Sequence, residues 1–360
     1  MFFYIFDLNQ SKTINNQTIK KTLTLLFASF ALATFAQEEE PALSISGTVD
    51  AYFQTALTAP DTDFAGFGSS FADGSGFALG MANLIASYDM GSTGVVADLV
   101  FGPRGEAATG GYNINQLYAY WNVSEGTTLT MGRFNTYFGY EVISPTGNFN
   151  YSTSYMFSNG PFSMVGLKAD FSLGDFSLML ALMNDTDINE NTKGSYSVGA
   201  QVGYSGQYLN FYYQDYDDSD LSFLGLAIDY TGGFDLSDSF FLGINAAYNI
   251  GGYSYEVENG LGEDSGYYGV ALYPQYTVSE SFALGLRGEL FGWHGDPEDL
   301  PSVFSTTLTG SYTVENLTIK PELRMDTWSN GDAYGITYPD ADGLPTDSLA
   351  TFTLAAIYSF

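Results

Sequence analysis

LTIKPELRMDTW, Leu317 to Trp328, carries charge at every second position: Lys320, Glu322, Arg324 and Asp326. Ile319, Pro321, Leu323 and Met325 fill the positions between them. A period of two places successive side chains on opposite faces of a strand. One face of this strand is therefore ionic and the other apolar. Such a wall suits the boundary between water and lipid. In a membrane barrel the lumen accepts charge, whereas a cation at mid-depth on the lipid face costs about 2–4 kcal/mol. Pro321 falls on the apolar face, forfeits one ladder hydrogen bond and predicts a bulge there.

The same two-faced pattern recurs along the chain. In 95–104, Asp98 and Arg104 oppose Val95, Ala97, Leu99 and Phe101. In 129–141, Arg133 and Glu141 share one face, with Phe134 and Phe138 on the other. In 162–173, Lys168 and Asp170 oppose Val165, Leu167 and Phe171; in 282–294, Arg287 and Glu289 oppose Leu284, Leu286 and Leu290. Further strands are expected near 43–57, 77–90, 114–124, 176–185, 195–205, 207–218, 221–231, 240–251, 265–278, 303–314, 317–329 and 348–360, about sixteen in all. Tight links such as Gly174-Asp175 alternate with long ones at 58–76, 142–161, 252–264 and 330–347. That alternation is expected of an all-β transmembrane antiparallel barrel, with short periplasmic turns and longer outside loops. The short Ser219-Asp220 link departs from it.

Composition narrows the function. The 360 residues include no cysteine, and ten Lys+Arg face 41 Asp+Glu, a formal net charge of −31. Nucleic-acid binding needs a basic footprint, so it is excluded. Disulfides and thiolate metal sites are excluded as well. DTDINEN, Asp185 to Asn191, resembles the start of a calcium loop but lacks the glycine at position six and the closing glutamate. No metal or cofactor is expected. Lys20 and Lys21 precede an apolar run, Thr22 to Ala33, and predict a signal peptide over 1–36 with cleavage after Ala36. Residues 1–18 look unlike an n-region, so translation starting near Ile19 is an open reading. That segment removes Lys12, Lys20, Lys21 and Asp7, leaving seven cations and 40 acids. Of the seven, only Lys193 falls in an expected loop. The other six sit on polar strand faces, where a lumen would hold them.

Two further stretches point to an outer membrane. The C-terminus, SLATFTLAAIYSF, puts Phe352, Leu354, Ala356, Tyr358 and the terminal Phe360 in one register. Tyr358 and Phe360 resemble the signal read by the outer-membrane barrel assembly machinery. Residues 142–161 form an uncharged third outside loop carrying Asn148, Phe149, Asn150, Tyr151, Tyr155 and Phe157. From Gly132 to Phe171 the chain reads Gly132-Arg133-Phe134, Phe138-Gly139-Tyr140-Glu141, Asn148 to Tyr155, Pro161-Phe162 and Gly166. This stretch resembles the signature of the OmpL-like outer-membrane β-barrel porins.

The resemblance implies a Gram-negative outer-membrane porin: a water-filled channel for passive diffusion of small hydrophilic solutes or ions, set among lipopolysaccharide. By analogy with diffusion porins, loop 142–161 would enter the lumen and narrow it. Wall cations would then face wall acids and set selectivity, or pair along the wall and stabilise it; both readings stand. Acidic outer loops favour cations. A homotrimer is compatible with the resemblance, although no interface signature is legible. The alternatives are a substrate-specific channel, a closed barrel anchor, or a lipid-modifying enzyme built on His294, the only histidine. No enzymatic activity is expected.

Overall fold

The computed structural model describes residues 42–59, 71–192, 194–214, 225–250, 265–296, 299–340 and 342–360. The expected signal peptide, Lys193 and the Ser219-Asp220 link lie outside them. The strands are β1 Ala42–Ala56, β2 Gly76–Asp89, β3 Thr93–Phe101, β4 Ile114–Ser124, β5 Thr127–Asn135, β6 Ser163–Leu173, β7 Phe176–Met183 and β8 Ser197–Tyr204. They continue with β9 Gln207–Gln214, β10 Leu226–Asp235, β11 Phe240–Ile250, β12 Gly266–Ser279, β13 Phe282–His294, β14 Ser302–Val314 and β15 Leu317–Ser329. A small ribbon, β16 Tyr338–Pro339 and β17 Pro345–Thr346, precedes the last barrel strand, β18 Ser348–Ser359. Two short helices, α1 Pro103–Thr109 and α2 Tyr155–Asn159, lie in connections.

Each barrel strand pairs antiparallel with its neighbour, and β1 closes on β18. Closure removes the edges that lipid could not satisfy. The C-terminal residue completes the seam: the Gly47 and Phe360 main chains exchange hydrogen bonds of 2.9 and 3.0 Å. The tight turns fit their hairpins. Ser205 and Gly206, between β8 and β9, both take positive φ (49° and 80°), which a two-residue type I′ turn requires.

β15 behaves as its sequence reads. Leu323 and Met325 are 48% and 53% exposed on the outside, whereas Lys320, Glu322, Arg324 and Asp326 are buried inside. Neighbouring strands repeat the pattern, with Leu284, Leu286, Leu308 and Leu354 outward. An apolar band this continuous is a lipid-facing surface. The bulge expected at Pro321 does not form. Thr309↔Glu322 and Tyr312↔Ile319 keep one register on either side of it, so the ladder skips there without inserting a residue. Gly310, opposite, leaves space for the ring: a Cβ at Gly310 would stand 3.4 Å from Pro321 Cγ.

Three more expectations need correcting. The strand expected over 129–141 ends at Asn135, so Glu141 belongs to the following loop. The strand expected over 95–104 ends at Phe101, and Arg104 sits in α1. Both side chains still reach the interior. Finally, Phe134 does not face lipid. Thr130 is buried and Met131 exposed, yet Arg133, Phe134 and Asn135 are all buried. The parity breaks at Gly132, whose φ is +137°. A Cβ there would stand 2.2 Å from the Leu117 carbonyl oxygen, so only glycine fits this switch.

Candidate functional site

Sixteen strands leave room inside for an aqueous channel. Here the third outside loop, residues 136–162, occupies that room. Within it only Thr146 and Gly147 are exposed; Tyr151 and Thr153 are fully covered. The loop fills the middle of the barrel, a stronger effect than the narrowing expected from its sequence.

The first limb crosses to the β8–β12 wall. The Tyr137 hydroxyl donates to the Phe211 carbonyl at 2.8 Å, and the Gly139 amide donates to Asp229 at 2.9 Å. Tyr140 stacks on Tyr273 with ring centroids 4.3 Å apart. The loop then runs along β13, β14 and β15, where the charged row grips its main chain. Glu322 accepts from the amides of Tyr151 (2.7 Å) and Ser152 (3.1 Å). Glu289 accepts from the amides of Tyr155 and Met156, both at 2.8 Å. Lys320 donates to the carbonyls of Pro145 (3.0 Å) and Asn148 (2.6 Å). Arg287 donates to the Ser152 carbonyl at 2.7 Å, and Arg324 to the Thr153 carbonyl at 2.9 Å.

The ion pairs sit within this grip. Arg287 meets Glu141 of the loop at 2.7 Å, with both side chains almost fully buried. Glu141 also accepts from the Ser154 amide at 2.6 Å. Arg324 meets Asp326 at 2.9 Å and lies over the Tyr155 ring. Charge-assisted bonds of this kind are roughly twice as strong as neutral ones.

Side chains add specificity. The Tyr155 hydroxyl donates to Asp326 (2.8 Å), the Tyr151 hydroxyl to Asp50 (2.6 Å), and the Asn150 amide to Thr309 (2.7 Å). Asn148 closes a turn by bonding both the amide and the carbonyl of Val142. Phe149 packs on Gly285, where a Cβ would stand 2.4 Å from its ring. Burial pushes the phenols of Tyr151 and Tyr155 well above the ordinary tyrosine range, so both remain protonated donors. On the returning limb, Phe157 and Phe162 pack with Phe71. Arg104 lies over the rings of Phe71 and Tyr151 and donates to the carbonyls of Ile143 and Tyr151.

The other expected lumen charges also point inward, in three smaller arrangements. Asp98 accepts from Asn83, Asn115 and Gln116. Arg133 donates to the Asn189 side chain at 2.5 Å and to the Asn115 carbonyl at 3.2 Å. Lys168 pairs with Asp170 at 2.6 Å. Tyr358 and Phe360 lie outward and exposed beside the closing seam. His294 ends β13, with its ring stacked on Tyr248 and its Nε2 2.8 Å from the Asn249 carbonyl. In the DTDINEN stretch, Asp187 accepts from the Phe162 and Ser163 amides and so anchors the loop's exit. Sequence reasoning passed over Asp50 and Asp229. Each is a buried acid on the inward parity of a strand that carries no cation, and that parity is the signal that identifies them.

Comparison with known proteins agrees with this architecture. Among solved structures, the outer membrane channel DcaP of Acinetobacter baumannii aligns with a TM-score of 0.56 at 15% identity, covering 91% of this chain and all of the other. The anion-selective porin from Comamonas acidovorans aligns with a TM-score of 0.61 at 12% identity, covering 89% and 100%. The trimer form of OmpT from Vibrio cholerae aligns with a TM-score of 0.52 at 8% identity, with the same coverage. At these identities the likeness concerns the fold. No curated protein matches the chain. Residues 42–360 match the family model described as "Putative beta-barrel porin-2, OmpL-like". That match spans every barrel strand described above, and with the fold it gives the chain a porin's channel role: the chain belongs to the OmpL-like β-barrel porin family.

Proposed function

We propose that this porin sits in the outer membrane of a Gram-negative bacterium and passes small hydrophilic solutes and ions by diffusion. The observation that carries the reading is the inward polar row of a closed sixteen-strand barrel. Cations are the favoured ions. The periplasmic turns carry Glu125, Asp175, Asp238, Glu280 and Glu315. The cations placed among the described residues lie inside, against carboxylates and carbonyls. A rim of one sign concentrates its counter-ions. Lipopolysaccharide and the barrel assembly machinery are the proposed partners, the latter reading Tyr358 and Phe360. A homotrimer is the proposed assembly, by analogy with the trimer form of OmpT.

Planar-bilayer recording on refolded residues 37–360 tests this reading. Discrete openings are expected, with a reversal potential under a salt gradient that reports cation preference. A folded, heat-modifiable barrel that never conducts would sink the channel reading. A reversal potential of the opposite sign would transfer selectivity to the wall cations. The filled lumen favours one variant of the proposal, a substrate-specific channel, in which openings appear only when the correct solute is added.

A further inference from the structure

We infer that loop segment 142–157 is a removable plug. The conducting state forms when this segment leaves the β13–β15 wall, and the charges that held it then line the pore. The inference rests on the channel reading above and adds how that channel opens.

Three observations carry it. First, the segment lies across the lumen: its residues are buried except for the exposed Thr146-Gly147 and the half-buried Phe149. That tip lies low in the barrel. Lys320, which holds Pro145 and Asn148, is three positions from the periplasmic end of β15. Gly285, beneath Phe149, is likewise three positions from the periplasmic end of β13. The exposed tip therefore faces the periplasmic side, where inward residues such as Ser44, Ser46 and Ser177 are partly exposed.

Second, the grip is made of bonds that water can replace. Glu289 and Glu322 hold amides, while Arg287, Lys320 and Arg324 hold carbonyls. Both sides of each bond rehydrate when the segment leaves, so release costs far less than burying bare charges would. The wall that remains carries three cations and three acids, counting Asp326, side by side on adjacent inward positions. Such a wall suits an aqueous pore.

Third, the segment's ends are fixed independently of the grip. Tyr137 holds one limb to β9, and Phe162, packed on Phe71 with its amide bonded to Asp187, holds the other. Gly139, at φ +84°, and Gly160 bracket the stretch between these anchors. The middle can swing while the limbs stay docked.

The chain has no native cysteine, so one introduced pair tests the idea cleanly. Asn150 and Thr309 touch across the loop–wall contact. In the N150C/T309C protein, joined by oxidation or by a short dithiol-reactive linker, openings should vanish and return on reduction. Equal conductance in the linked and reduced states would overturn the plug. If the reduced and parent proteins were both silent, the channel reading would fail, and labelling would still judge the plug. A cysteine at Thr153, probed with a charged maleimide in the heat-modifiable barrel, should react slowly. Adding E322Q removes a charged acceptor of two loop amides and should speed labelling about tenfold. An unchanged rate would overturn the plug whatever the conductance.

Discussion

Replacing Arg287 by methionine is expected to free the loop while leaving the barrel standing. Arg287 is fully buried and binds Glu141, the Ser152 carbonyl and Thr307. Its loss removes the cation with which the buried Glu141 carboxylate pairs. Removing one partner of a buried pair costs about 3–5 kcal/mol. The strand ladder of β13 is untouched by the change, because Arg287 pairs its neighbours through main-chain bonds. The cost therefore falls on docking of the loop. Chymotrypsin should cut the variant near Tyr151, Tyr155 or Phe157 and spare the parent, while both keep heat-modifiable mobility. Lys168→Met is the contrast. Its partner Asp170 is 38% exposed, so that pair is worth roughly 0–1 kcal/mol and the loop should stay protected. An R287M barrel as resistant as the parent would remove Arg287 from the grip.

Gly132→Ala is expected to damage the barrel itself. The residue reverses the inward parity of β5, and its φ of +137° is open to glycine alone among ordinary residues. The strained backbone costs about 1–3 kcal/mol. A methyl group 2.2 Å from the Leu117 carbonyl oxygen and 2.7 Å from Tyr118 Cα adds an overpacking cost of about 1–3 kcal/mol. If β5 instead relaxes by straightening, Arg133 turns toward lipid, at about 2–4 kcal/mol. Either route should lower the urea midpoint of the micelle-bound barrel by an easily measured amount. A midpoint equal to the parent's would show that the parity switch does not depend on glycine.

These two positions also mark what sequence periodicity can and cannot reveal. A strand with one wet and one greasy face imprints its period on the residues, so β15 and β13 were legible down to single positions. Tight turns and long loops alternated visibly for the same reason: one end of each hairpin is free to grow. Periodicity carries no stop signal, and so Arg104 and Glu141 were assigned to strands that had already ended. It also assumes constant parity, which Gly132 breaks by a backbone conformation that leaves no trace in hydropathy.

The loop exposed a deeper limit. The lack of charge over 142–161 was plain, and the wall's abundance of charge was plain. Their relation was not, because Glu289, Glu322, Lys320 and Arg324 bind main-chain atoms that every sequence possesses. The wall charges neither simply face water nor simply pair with one another. They hold a segment whose own side chains give no hint of the partner.

Hydrogen exchange at the loop's amides tests this central claim most directly. In the refolded barrel, the amides of Tyr151, Ser152, Ser154, Tyr155 and Met156 each donate to a buried carboxylate. They should exchange as slowly as the strand amides of β13 and β15, while Thr146 at the exposed tip exchanges fast. If all six amides exchanged together at the rate of an open loop, the charged row would be facing water, and the lumen would not be plugged.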